Sequence, residues 1–178
     1  MRDQRPVLEI RDLTVRYPAA QRDALREVSL ALQPNAFLSI AGRHGAGKST
    51  LCLAAAGLLP RVVRAGVRGT VAGPTPTGLV LADPAAGLSG ARATVREEVA
   101  FGLENLGVPR DAMDSRIERA LAALGIAGLA GRAPESLSRG EQQRLVIATA
   151  LAMDPPLLVL DEAAAELDPG GTEALSGL

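Results

Sequence analysis

Nine consecutive residues, Gly42-Arg43-His44-Gly45-Ala46-Gly47-Lys48-Ser49-Thr50, fit the pattern G-x-x-x-x-G-K-[ST]. Glycines there let the backbone curl so that successive N–H groups point inward at an anion, and a helix opening behind them adds its positive end. Lys48 would reach outer phosphates as a point charge, and the Ser49 hydroxyl would ligate Mg²⁺. Charge-assisted bonds of this kind contribute roughly 1.5–3 kcal/mol each, so several can hold a triphosphate. The apolar run Phe37-Leu38-Ser39-Ile40-Ala41 before the loop and Leu51-Cys52-Leu53-Ala54-Ala55-Ala56 after it supply the strand and helix that this chemistry needs. Taken alone, the nine residues are also compatible with a glycine-rich turn before a buried helix.

Two further segments carry matching chemistry. Leu157-Leu158-Val159-Leu160-Asp161-Glu162 is an apolar run of strand length ending in two carboxylates. Uniformly apolar strands suit a sheet covered on both faces, with its chemistry at the carboxyl ends. Asp161 is then placed to hold Mg²⁺, directly or through water, and Glu162 to orient or deprotonate an attacking water. In Leu137-Ser138-Arg139-Gly140-Glu141-Gln142-Gln143-Arg144-Leu145, Ser138 has the chemistry of a helix N-cap and Glu141 completes a capping box. A capped helix start is equally an anion site.

With these residues in view, the chain resembles the ATP-binding-cassette (ABC) ATPases, whose signature reads L-S-G-G-Q or L-S-G-G-E-Q-Q-R and precedes the acidic strand end by about twenty residues. Glu166-Leu167-Asp168-Pro169 matches the family's D-loop, so all four motifs stand in order. The resemblance covers almost the whole chain. It implies an α/β fold of the P-loop NTPase type: a cassette over residues 1–178 with a mostly parallel core sheet, an N-terminal antiparallel β subdomain and a helical subdomain over 92–135. It also implies ATP and Mg²⁺ as cofactors. The nucleotide would contact Tyr17 by stacking of the adenine, the whole loop from Gly42 through Thr50, and Ser138, Gly140, Glu141 and Asp168 of signature and D-loop. Lys48 and Glu162 would be catalytic, and Ser49 and Asp161 would bind the metal. Thr94 to Pro109 and Gly57 to Arg64 resemble the ATPases of energy-coupling-factor importers of vitamins and transition metals. The implied partners are a second cassette, separate or on the same chain, and a transmembrane coupling subunit, with the chain peripheral on the cytoplasmic face.

Departures from the pattern bear on activity. The family's glutamine at the end of the strand supplied by Leu79-Val80-Leu81 is replaced by Ala82, whose methyl group can neither coordinate nor hydrogen-bond. Arg139 stands for the first signature glycine and Ala163-Ala164 for the usual Pro-Thr. The family's switch histidine would fall beyond Leu178, and the one histidine, His44, lies inside the phosphate loop. These features leave open a regulatory half whose partner hydrolyses. They also raise the expectation of a fragment truncated at its C-terminus, whose sheet would lack an inner strand and whose isolated form would be inactive.

The elements that must position these groups are partly visible. Val7 to Tyr17 reads as a strand, Leu30-Ala31-Leu32 as the start of a second, and residues 65–78 as turns between short strands. Leu79 to Ala82 reads as a short buried strand, and Met113, Ile117, Leu121 and Leu124 fall at helical spacing between Arg110 and Leu129. A length of 178 residues suits one domain. Hydrophobic residues make up 47% of the chain, yet no run reaches the length that spans a bilayer. Cys52 excludes an internal disulfide and reads as a small buried hydrophobe. A net charge of −1 and 2% aromatics argue against nucleic acid as partner, which calls for a basic surface or stacking platforms.

Overall fold

The computed structural model describes residues 5–163, so the D-loop with Asp168 lies outside the described residues. The chain divides into two compact units, one up to Leu79 and one from Val80.

In the first unit, β1 (Leu8–Arg16), β2 (Leu25–Leu32) and β3 (Gly66–Ala72) form an antiparallel sheet in the order β2-β1-β3. The buried side chains of β1 change phase, from Leu8 and Ile10 to Leu13 and Val15. A one-residue slip would turn the second pair outward, and a bulge prevents this: pairing shifts on both sides of Arg11-Asp12, where Asp12 takes φ 50. Ser29 locks the bulge, its Oγ accepting from Asp12 N–H at 2.8 Å and donating to Asp12 Oδ1 at 3.2 Å. Helix α1 (Lys48–Ala55) packs on β1 and buries Thr50, Leu51, Ala54 and Ala55, one stripe at helical spacing.

Two sequence expectations change here. The Gly-, Pro- and Thr-rich stretch 65–78 contains β3, which uses the edge of β1 opposite β2. The apolar run Phe37–Ala41 does not form the strand expected of it. No ladder among the described residues includes it, and Phe37, Leu38 and Ile40 are 69%, 46% and 44% exposed. A strand depends on a neighbour that takes its N–H and C=O groups, and hydrophobicity alone supplies none.

The second unit is built on helices α2 (Val95–Asn105), α3 (Arg110–Ala123) and α4 (Arg139–Ala152). Val95, Val99 and Leu103 recur every four residues on α2 and meet Ile117 and Leu121 of α3 and Leu145, Ile147 and Ala148 of α4 in one core. Thr94 and Glu97 form a capping box that starts α2. Helix α3 stops short of Leu129: Gly125 takes φ 66, Ile126 N–H closes on Leu121 O at 2.9 Å, and a 3-10 turn follows over Ala127–Leu129. Strand β4 (Gly78–Val80) pairs with β5 (Leu158–Leu160), and Asp161 N–H donates to Val80 O at 2.9 Å. Among the described residues, no helix is long and apolar enough to cross a membrane.

Candidate functional site

The glycine loop enters α1 through Gly47 at φ 91, a conformation that L side chains rarely adopt. Space forbids a side chain as well, because a Cβ on Gly47 would stand 2.4 Å from Ala24 O and 2.8 Å from Leu25 Cδ2. Close approach of the loop to the start of β2 therefore fixes glycine at this position. Lys48 folds back over the loop, its Nζ donating to Gly42 O at 3.1 Å and Arg43 O at 3.3 Å. Gly42, Arg43, His44, Gly45, Ala46 and Ser49 are exposed, and Lys48 is half-buried. The N-cap residue Gly47 offers α1 no side-chain hydrogen bond, and no acidic residue sits in the first turn.

Tyr17 is brought to the same place. Its hydroxyl lies 3.2 Å from Oγ1 of Thr50, the last residue of the motif, and the side chain is half-buried. One unit thus assembles an aromatic ring, a lysine and a helix N-terminus from residues as far apart as Tyr17 and Thr50. Cys52 is half-buried, more open than its apolar surroundings suggest.

In the second unit, Ser138 Oγ accepts from Glu141 N–H at 3.4 Å, and Glu141 Oε2 accepts from Ser138 N–H at 2.7 Å and Oγ at 2.8 Å. The expected capping box opens α4. The Ser138 hydroxyl, then the Ser138 backbone N–H, hold the Glu141 carboxyl below its ordinary value. Arg139 is exposed and Gly140 half-buried. Asp161, at the end of β5, is 8% exposed, whereas Glu162 is exposed and takes φ 56. Left-handed backbone at a non-glycine residue costs about 1–2 kcal/mol. Ala82 is exposed after β4, and the neighbouring Asp83 accepts from Ala85 N–H at 3.3 Å to cap the turn Pro84–Ala86.

Sequence reasoning missed two buried polar groups. Glu98, 2% exposed on α2, accepts from Ser89 N–H at 2.5 Å and Ser89 Oγ at 2.7 Å, clasping the segment after β4. Gln143 is fully buried in α4. Its register was readable, since Gln143 stands three and four residues before Val146 and Ile147 and so falls on the apolar stripe.

The residues present fit a nucleotide with its divalent ion. The N-cap of α1 is a glycine, which has no side chain to close the first turn, the loop around Gly45 is open, and the lysine lies across the loop mouth. Among the described residues, no group of three or more His, Cys, Asp or Glu could hold a metal by itself. The Ser49 hydroxyl and the Asp161 carboxylate are hard oxygen donors, the kind that Mg²⁺ takes one or two of together with substrate phosphates.

Comparison with known proteins shows the family. A family model described as ABC transporter matches residues 25–165. A Pyrococcus horikoshii protein named as an ABC transporter ATP-binding protein is 40% identical over 185 aligned residues, covering 97% of this chain and 64% of the relative. The energy-coupling factor transporter ATP-binding protein EcfA1 of Levilactobacillus brevis is 39% identical over 176 residues, covering 93% of this chain and 61% of its own length. Among solved structures, cbiO1 from Clostridium perfringens, described as part of the ABC transporter complex cbiONQ, superposes with a TM-score of 0.79 at 28% identity, covering 97% of this chain and 73% of that one. The chain spans 64% and 61% of the length of these two curated relatives.

Proposed function

Because the chain belongs to the ABC transporter family and has its α/β ATPase fold, we propose that it binds and hydrolyses ATP as the cassette of an energy-coupling-factor type importer of vitamins or transition-metal ions. The observation that carries the ATP reading is the loop itself: Lys48 lies across Gly42 and Arg43, and the loop enters α1 through Gly47 at φ 91, where the close approach of Ala24 O leaves no room for a side chain. The importer reading is supported by the likeness to EcfA1 and cbiO1.

In this proposal the loop from Gly42 to Thr50 cradles the phosphates with its backbone N–H groups, and Lys48 exchanges the carbonyls of Gly42 and Arg43 for the outer phosphates. Tyr17 offers its ring to the adenine while its hydroxyl holds Thr50. Ser49 and Asp161, both hard oxygen donors, are the proposed protein ligands of Mg²⁺, which when bound neutralises phosphate charge and orients the leaving group. Glu162 takes a proton from the attacking water. Ser138, Gly140 and Glu141 at the start of α4, with Asp168, serve the nucleotide of a second cassette. The two cassettes stand on the cytoplasmic face beside a transmembrane coupling subunit, with residues 92–135 as the helical part facing it.

The test is steady-state turnover by the full-length protein carrying Glu162→Gln. Loss of the general base lowers kcat for ATP by at least about a hundredfold and leaves ATP binding intact. Unchanged kcat would remove Glu162 from the chemistry, and absence of wild-type turnover would remove the hydrolytic reading.

A further inference from the structure

The fully buried carboxamide of Gln143 lies where α4 meets the end of β4. Its Nε2 donates to Leu81 O at 3.4 Å across 62 residues of sequence, and its Oε1 has no hydrogen-bond partner among the described residues. One residue before Leu81, Val80 O accepts from Asp161 N–H at 2.9 Å. Adjacent carbonyls at the end of β4 thus hold the start of α4 on one side and the acidic end of β5 on the other. The segment after β4 is pressed on the same helix, since a Cβ on Gly87 would stand 2.4 Å from Val146 Cγ1. Ser138, which caps α4, is five residues from Gln143, and Glu162 is one residue from Asp161.

We propose that Gln143 is a positioning residue for ATP hydrolysis, registering the capped start of α4 against the Asp161-Glu162 strand end through the Leu81 carbonyl. The proposal rests on the ATPase reading above. A buried, unpaired acceptor costs about 1–3 kcal/mol, so an apolar residue of the same shape would serve stability at least as well. What methionine cannot supply is the donor to Leu81 O, a directional link between helix and strand end.

The experiment compares full-length wild type with Gln143→Met, Gln143→Glu and the control Gln142→Met, alongside Lys48→Ala, measuring kcat, KM for ATP and Tm. Gln142 lies on the same helix but donates to Pro134 O at 3.2 Å, away from the strand. The expected result is that Gln143→Met lowers kcat about tenfold or more, with KM within about twofold and Tm within about 3 °C, while Gln142→Met keeps wild-type kcat. Gln143→Glu supplies a second reading through its pH profile. As a neutral acid the buried glutamic side chain keeps an O–H donor for Leu81 O, and when ionised it has none, so its kcat relative to wild type falls as pH rises. Wild-type kcat in Gln143→Met, a loss that accompanies a lower Tm, an equal loss in Gln142→Met, or a flat relative pH profile in Gln143→Glu would each overturn the positioning role. Failure of the ATPase reading looks different: the wild type itself would then show no turnover that Lys48→Ala abolishes.

Discussion

Glu141 closes the start of α4 with its carboxylate, and the serine bonds that depress its titration tie that closure to pH. A carboxyl held below its ordinary value contributes stability above about 4.3, the unfolded glutamate range, and loses it as pH falls through the lower folded value. Thermal melts of wild type and Glu141→Gln should therefore converge in acid and separate toward neutrality, because the amide oxygen still accepts from Ser138 but does not titrate. Parallel curves at all pH values would mean that the charge of Glu141 adds nothing to the box. Ala82 allows a second prediction at this scale. If an acceptor beside the metal limits turnover, Ala82→Gln in the full-length protein raises kcat, whereas an unchanged rate places that contact elsewhere. The places of Lys48 at the start of α1, Ser138 at the cap of α4 and Asp161 after β5 were legible in the sequence because they lie in short spacings that survive without tertiary knowledge. Gln143 and Glu98 were not read, because a polar residue on an apolar stripe declares its burial but not its partner.

Helix α4 joins the signature to the core and is the element on which Gly87 closes. Gly87→Ala would drive a methyl into Val146, which is 6% exposed and stiff at χ1. The expected cost is about 1–3 kcal/mol in denaturant unfolding of the full-length protein, and a neutral effect would show that the segment after β4 rides loosely on the helix. A helix start was legible where the cap lies in a short spacing, as in Ser138-Glu141 at the start of α4, whereas the Thr94-Glu97 box of α2 was not read. The end of α3 was read six residues late, since the apolar spacing continues through Leu124 while Gly125 turns the chain. Strands were harder. β2 begins at Leu25 rather than near Leu30, because its exposed side carries Arg26 and Glu27 and an edge strand need be apolar on one face only. Phe37–Ala41 fails as a strand for the opposite reason: it has the composition and lacks a neighbour among the described residues.

At the scale of the whole molecule, the phosphate loop and Tyr17 belong to the unit up to Leu79, and the signature and acidic strand end to the unit from Val80. Each unit carries its part of the chemistry on its own scaffold: α1 against β1 in the first, α4 against the helical core in the second. The order of motifs along the chain made the family legible, whereas the division into two units depends on which side chains share a core and was not. The central claim is that the Gly42–Thr50 loop binds the triphosphate through Lys48, and equilibrium ATP binding to the full-length protein tests it most directly. Lys48→Ala should weaken ATP binding at least about tenfold, or roughly 1.4 kcal/mol, because the ammonium is the loop's own point charge for the outer phosphates. Equal ATP affinity in wild type and Lys48→Ala would contradict the account.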